Sequence, residues 1–193
     1  MSVAGRTIDP STVPVPDVAI AAFDTSNQSL ATATTDSAGL YGLSLSTGGT
    51  PFSAYLRGTK ASYVNTYYYP AAPIAADLAG ADLPLLTTII WGLLPTIAQA
   101  TQTSGTALLL IRVLDCLGSP VAGAFVSTTP GGEVVYGLTP STSATMTGAD
   151  GYAWMFSVPV GTVTVGATKM GTTLRSHDVV ARADVLTTVD VRP

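Results

Sequence analysis

With one histidine, one cysteine and one glutamate among its 193 residues, the chain has a narrow range of chemistry open to it. Ser176-His177-Asp178 contains the three residue types of a serine nucleophile, its base and an orienting acid. The three are adjacent, however, and neighbouring residues in a strand point to opposite faces, so they cannot form a relay. No Gly-x-Ser-x-Gly elbow supplies an alternative nucleophile. Zinc and non-haem iron sites need several imidazole or thiolate ligands, and His177 and Cys116 stand alone. Asp36 and Asp150 lie in Gly-containing turns without the cluster of acids that a calcium loop requires, so they read as turn residues. An amide cross-link between Lys and Asn beside an acid is also poorly served. Lys60, Asn27 and Asn65 occupy a first half with no Glu, whereas Lys169 and Glu133 occupy a second half with no Asn. The expectation is a protein with no catalytic residues, cofactor or metal.

Two segments carry surface chemistry instead. Tyr63-Val64-Asn65-Thr66-Tyr67-Tyr68-Tyr69-Pro70 concentrates aromatic rings. In an extended chain Tyr67 and Tyr69 face one way and Tyr68 the other. Tyrosine offers contact area and a hydroxyl at low entropic cost, which suits a protein or carbohydrate surface. The second segment, Thr87 to Ala100, is apolar and fits one or two helical turns with Ile90, Leu94 and Ile97 on one face; Pro95 breaks a single long helix or opens a second short one. Tyr63, Tyr67, Tyr68, Tyr69, Ile90, Trp91 and Leu94 are therefore the candidate interaction residues.

The elements that position these segments are short strands. Apolar and small residues alternate through Val3–Ile8, Val18–Phe23, Leu30–Thr35, Leu40–Leu45 and Phe52–Leu56. The second half reads as a strongly apolar strand at Leu108–Leu114, then Val121–Val126, an alternating strand at Thr162–Ala167, and Val185–Val191. Asp-, Gly- and Pro-rich turns separate them, among them Asp36-Ser37-Ala38-Gly39 and Gly48-Gly49-Thr50-Pro51. The plan repeats. Val15 and Val121 stand 106 residues apart, and Gly39 and Gly151 stand 112 apart, so an insertion lies in the second half, in the Pro/Gly/Ser/Thr-rich stretch 129–145. A repeated plan with matched turns is a stronger signal than any single strand. The expected organisation is a first domain at 1–87, a linker at 88–105 with a flexible exit from Thr101 to Gly105, and a second domain at 106–193.

These motifs resemble carboxypeptidase regulatory-like domains, the transthyretin-like β-sandwiches. The second half carries the resemblance best, in Gly118-Ser119-Pro120-Val121-Ala122-Gly123-Ala124-Phe125-Val126, Asp150-Gly151-Tyr152 and Val158-Pro159-Val160-Gly161. The first half is looser, in Val15-Pro16-Asp17-Val18 and Asp36-Ser37-Ala38-Gly39-Leu40-Tyr41. The resemblance implies an all-β fold, two tandem Greek-key, Ig-like sandwiches joined by a short, apolar, partly helical linker. It also implies secreted or surface bacterial proteins in which such domains act as spacers, accessory modules or interaction surfaces. Asp36, Gly39, Tyr41, Asp150, Gly151 and Tyr152 become structural turn residues, with the tyrosine after each turn packing across the sandwich.

Composition agrees with that class. The chain is 47% hydrophobic and only 10% charged, against about 25% charged in ordinary soluble domains. Eleven of its twelve acids are Asp, a turn former, and only two residues are Lys. A net charge of −4 leaves no basic stripe for nucleic acid. The charge-free stretch Leu83–Ile111 is broken too often by Thr, Gln, Gly and Pro to span a bilayer. Met1-Ser2-Val3-Ala4-Gly5 lacks the basic and apolar regions of a signal peptide, so an exported protein in its mature form, with a trimmed leader or lipid anchor, is the expectation. Weakly charged sheet edges point to self-association or a protein partner.

Overall fold

The protein is described from a computed structural model covering residues 1–46, 48 and 50–193. It divides into two compact units, Met1–Thr88 and Ile89–Pro193. Part of the expected Gly48-Gly49-Thr50-Pro51 turn, Gly49, lies outside the described residues.

In the first unit, strands β1 (Ser2–Ile8), β2 (Ala19–Asp24), β3 (Ser29–Thr34), β4 (Leu40–Ser44), β5 (Ala54–Thr59), β6 (Thr66–Tyr69) and β7 (Leu83–Pro84) form two sheets. One has the order β4-β1-β7, with β1 and β7 parallel; the other runs β6-β5-β2-β3, antiparallel throughout. Alternation decides what fills the space between them. Val3, Tyr41, Leu43 and Leu83 from one sheet, and Ile20, Ala22, Leu56 and Tyr68 from the other, belong to one buried cluster.

In the second unit, α1 (Thr88–Ala98), whose first residue closes the first unit, is followed by β8 (Ala107–Val113), β9 (Ala124–Thr129), β10 (Glu133–Tyr136), β11 (Tyr152–Val158), β12 (Gly161–Lys169), β13 (Thr172–Thr173), β14 (His177–Ala181) and β15 (Leu186–Val191). The sheet β10-β11-β8-β15 again pairs its first and last strands, β8 and β15, in parallel. In the second sheet β12 carries β9 on one side and β14 with β13 on the other. The Tyr136 hydroxyl accepts the Val126 N–H at 3.2 Å, tying one sheet to the other. Leu108, Leu109, Leu110 and Ile111 are all buried, the mark of a strand covered on both faces.

The same hydrogen bonds close both units. Thr7 N–H donates to the Gly39 carbonyl at 2.8 Å, and Val113 N–H to the Gly151 carbonyl at 2.8 Å. Val15 N–H returns to the Thr7 carbonyl, and Val121 N–H to the Val113 carbonyl, each at 2.9 Å. Asp9 Oδ1 accepts the N–H groups of Ser11 and Val13, as Asp115 Oδ1 accepts those of Leu117 and Ser119. The Thr35 hydroxyl accepts Val18 N–H and donates to the Val15 carbonyl; Thr147 does the same with Ala124 and Val121. Gly39 and Gly151 share a φ of 71°, and a Cβ on either would stand 2.6 Å from the carbonyl oxygen of Thr7 or Val113. Only glycine meets both demands.

Several local expectations change. Pro95 does not end the helix: α1 continues through it to Ala98. The stop is a Schellman turn, with Gln99 at a φ of 51°, Ala100 N–H on the Pro95 carbonyl at 2.9 Å and Gln99 N–H on the Thr96 carbonyl at 3.3 Å. Leu94 and Ala98 are the buried residues of α1, whereas Ile97 is 52% exposed, so Ile97 does not share the inner face with Ile90 and Leu94. Residues 101–105 are not a free exit. Thr101 N–H donates to Glu133, Thr103 N–H and the Gln102 carboxamide engage Ser157, and Gly105 N–H donates to Asp184. The two turn tyrosines also differ. Tyr41 follows Gly39 by two residues and is buried, its hydroxyl donating to the Ala81 carbonyl. Tyr152 follows Gly151 by one, pairs with Arg112 in the register and is half-buried on the opposite face, so it does not pack across the sandwich.

Gly151→Ala is expected to cost about 1–3 kcal/mol in denaturant unfolding, whereas Gly148→Ala, with its nearest neighbour at 3.5 Å and an ordinary φ, changes stability by less than about 0.5 kcal/mol. Gln99→Gly relieves a left-handed side-chain position and should stabilise by about 0.5–1 kcal/mol, read as a rise in melting temperature.

Candidate functional site

The tyrosine segment becomes β6 and its neighbour strands decide the role of each ring. Tyr68 faces inward, is 2% exposed and belongs to the core, so it leaves the candidate surface. Tyr67 and Tyr69 face outward, half-buried, as the period-two reading implies. Tyr63 is half-buried and packs against the edge of the core. On the outer face the register places Phe23 of β2 opposite Tyr55 of β5, and Arg57 of β5 opposite Tyr67 of β6. The rings form a row: Phe23 stacks on Tyr55 at 5.3 Å, Tyr55 on Tyr69 at 5.3 Å, and Tyr67 tilts against Tyr55 at 5.9 Å. The Arg57 guanidinium lies 4.8 Å over the Phe23 ring. Phe23, Tyr55 and Arg57, distant in sequence from the tyrosine run, complete this face. Their outward alternation in β2 and β5 was the available signal.

In α1, Leu94 is buried, Ile90 and Trp91 are half-buried, and the outward positions fall to Ile89, Leu93 and Ile97, which are at least half exposed. These three, four residues apart, were not singled out by the apolar pattern because apolar residues occur on every side of the helix.

The turn acids serve the backbone. Asp36 Oδ1 accepts the N–H groups of Ala38 and Leu40 at 2.9 and 2.8 Å. Asp150 accepts Tyr152 N–H with one oxygen and Leu138 N–H with the other, which ties the 129–145 insertion to the turn. The insertion is further held by the Trp154 indole N–H on the Leu138 carbonyl at 3.1 Å. The two Asp residues thus do different work, because Gly148, not Asp150, occupies the place of Asp36. Among the described residues no group of three or more His, Cys, Asp or Glu side chains gathers to hold a metal ion. Lys60 donates to the Pro16 carbonyl at 2.6 Å and shares a shallow depression with Asp17 and Asn65. No described helix is long and apolar enough to cross a membrane.

His177 sits on β14, where Asp178 turns outward and accepts the Thr164 hydroxyl at 2.6 Å. Both imidazole nitrogens are buried without a hydrogen-bond partner among the described residues. Burial, reinforced by Arg175, holds the His177 pKa below the usual imidazole value despite Asp190 and Asp178 nearby. Burial likewise pushes the Tyr41 hydroxyl far up.

The fold and these surfaces define an all-β protein of two compact units in which Asp9, Asp24, Asp36, Asp115 and Asp150 serve turn backbone. No protein-family model matches the sequence, and no curated protein matches it. Among solved structures the chain is similar to the TIE protein of Bacillus anthracis, at 11% identity and a TM-score of 0.33; the alignment covers 99% of this chain but only 33% of that one. It is similar to the shaft pilin SpaA of Lactobacillus rhamnosus GG, at 12% identity, a TM-score of 0.32, and coverage of 100% of this chain and 97% of that one. The minor pilin GBS52 of Streptococcus agalactiae aligns at 10% identity and a TM-score of 0.32, covering 99% and 95%.

Because the folded state favours neutral His177, its contribution to stability is complete above the ordinary imidazole pKa and is lost as pH falls through the lowered one. Unfolding free energy should therefore decline as pH falls below about 7, and His177→Leu should flatten that part of the profile. An unchanged slope in the variant would show that His177 does not carry it.

Proposed function

We propose that this is a non-catalytic, extracellular or cell-surface structural protein of bacterial type, built from two tandem carboxypeptidase regulatory-like sandwiches and self-associating through its sheet edges. The shared hydrogen-bond scheme around Gly39 and Gly151 supports the tandem reading. The lopsided residue chemistry supports the non-catalytic one: a single His without partners on its nitrogens, and turn carboxylates already occupied by backbone N–H groups.

The observation that carries self-association is the edge strand β3. Its sequence, Ser-Leu-Ala-Thr-Ala-Thr, has no charge and no proline over six residues. Proteins guard open edges with Lys, Pro or brevity, because unpaired N–H and C=O groups recruit another strand. Other strands here show such devices: β7 is two residues ending in Pro84, β10 begins with Glu133, and β14 contains Asp178. β4 shares the lack of charge but is one residue shorter than β3, and β9, paired only with β12, gives the second unit an uncharged edge of the same six-residue length. Antiparallel pairing of β3 with a second copy would set threonine and alanine against their own kind, with no repulsion.

Light scattering coupled to size exclusion tests this reading. The expected result is a concentration-dependent oligomer that Thr32→Lys/Thr34→Lys converts to monomer by placing like charges across the edge. A wild-type monomer at the highest attainable concentration overturns self-association.

A further inference from the structure

The outer face of β3-β2-β5-β6 contains a hollow of about 540 Å3 beside the aromatic row. Its origin is in the register. Ala19 and Ala21 of β2 lie between Thr34 and Thr32 of β3 on one side and Thr59 and Arg57 of β5 on the other. Two methyl side chains between larger neighbours leave a trough with an apolar floor. Three threonine side chains line its walls, and Arg57 is the one charged side chain that lines it.

Arg57 is unusual in its setting. Among the described residues it forms no ion pair, unlike Arg6, which pairs with Asp82, and Arg112, which pairs with Asp190. Its Nε is buried and has no hydrogen-bond partner. Its position comes from stacking on Phe23, which is itself stacked on Tyr55, so the guanidinium is held by rings rather than by an acid. Asp24, at the end of β2, already accepts the N–H groups of Ser26 and Gln28. A pre-positioned guanidinium with no carboxylate beside it is matched by a planar anionic group of a ligand.

We propose that this hollow binds an acidic saccharide of the uronate class. The sugar carboxylate meets the Arg57 guanidinium, a C–H face of the pyranose lies on the Ala19 and Ala21 methyls, and ring hydroxyls exchange hydrogen bonds with Thr32, Thr34 and Thr59. The volume lies within the range of about 300–1,000 Å3 for small-molecule sites. One cation in a hydroxyl-lined trough selects a ligand with one carboxylate per ring over a neutral sugar. The inference does not depend on self-association.

The test is a titration of the full chain, followed by amide chemical shifts, with a galacturonate trisaccharide, maltotriose and a tri-aspartate peptide as probes. The expected result is shifts centred on Ala19, Ala21, Thr32 and Arg57 with the galacturonate. A charge-assisted hydrogen bond of this kind corresponds to roughly tenfold or more in affinity, so maltotriose should bind at least that much more weakly. Arg57→Gln should lose the same factor and Arg57→Lys less. Ala21→Leu, which fills the trough without removing Arg57, should abolish the response, with the remaining spectrum reporting that the fold is intact. Absence of shifts at these residues, equal binding of maltotriose, or tri-aspartate binding as tightly as the galacturonate each overturns the proposal.

Discussion

The approach of a glycine backbone to the end of the first strand is the constraint on which both units turn. At Gly39 and Gly151 the chain must adopt a positive φ and at the same time bring its Cα within a side chain's width of a carbonyl oxygen. That contact lets the Thr7 and Val113 N–H groups reach the glycine carbonyls, which starts the pairing of the fourth strand of each plan with the first. Once β1–β4 and β8–β11 are in register, alternation leaves little freedom: a slip of one residue would expose every core side chain. The Thr35 and Thr147 hydroxyls then satisfy buried backbone groups beside the turns, and the Asp9 and Asp115 carboxylates hold the exposed turns themselves.

Around that shared frame the units diverge where volume can be traded. Gly5 faces Tyr41 across β1 and β4, and a Cβ on Gly5 would lie 2.2 Å from the Ala81 oxygen. The corresponding pair in the second unit is Ile111 with Ala153. A large residue sits on one strand in the first case and on the other in the second. Both solutions fill a close-packed interior. The larger divergence concerns the strand before the shared turn. β3 pairs with β2, but β10 pairs with β11, which belongs to the opposite sheet of its unit. The 129–145 insertion accompanies that switch, and Asp150 and Trp154 hold it through the backbone of Leu138.

The consequence for surface chemistry is that each unit presents a different face. Because β3 stays with β2 in the first unit, the trough of Ala19 and Ala21 has a threonine wall, and the sheet ends in an uncharged edge. The uncharged edge and the hollow adjoin on one sheet, with Thr32 and Thr34 of β3 belonging to both.

Much of this was legible in the residues. Period-two alternation marked the strands, the Asp and Gly spacing marked the turns, and the offsets of 106 and 112 marked the common plan, because these are local properties with fixed geometry. The outward direction of Tyr67 and Tyr69 followed from the same period. Other features depended on tertiary neighbours. Pro95 stays inside a helix and Gln99 ends it in a left-handed turn, an outcome that local propensity does not favour. Tyr41 and Tyr152, alike in motif, differ by one position and so lie on opposite faces. Arg57 and Phe23, 34 residues apart, became neighbours only through the pairing of β2 with β5. The sequence by itself determined strands, turns and the scarcity of His, Cys and Glu side chains, all set by residue type and short-range spacing. The tertiary structure alone decided which sheet β3 and β10 joined, which rings stacked and which charge was left without an acid, because these rest on contacts between strands that no local pattern records.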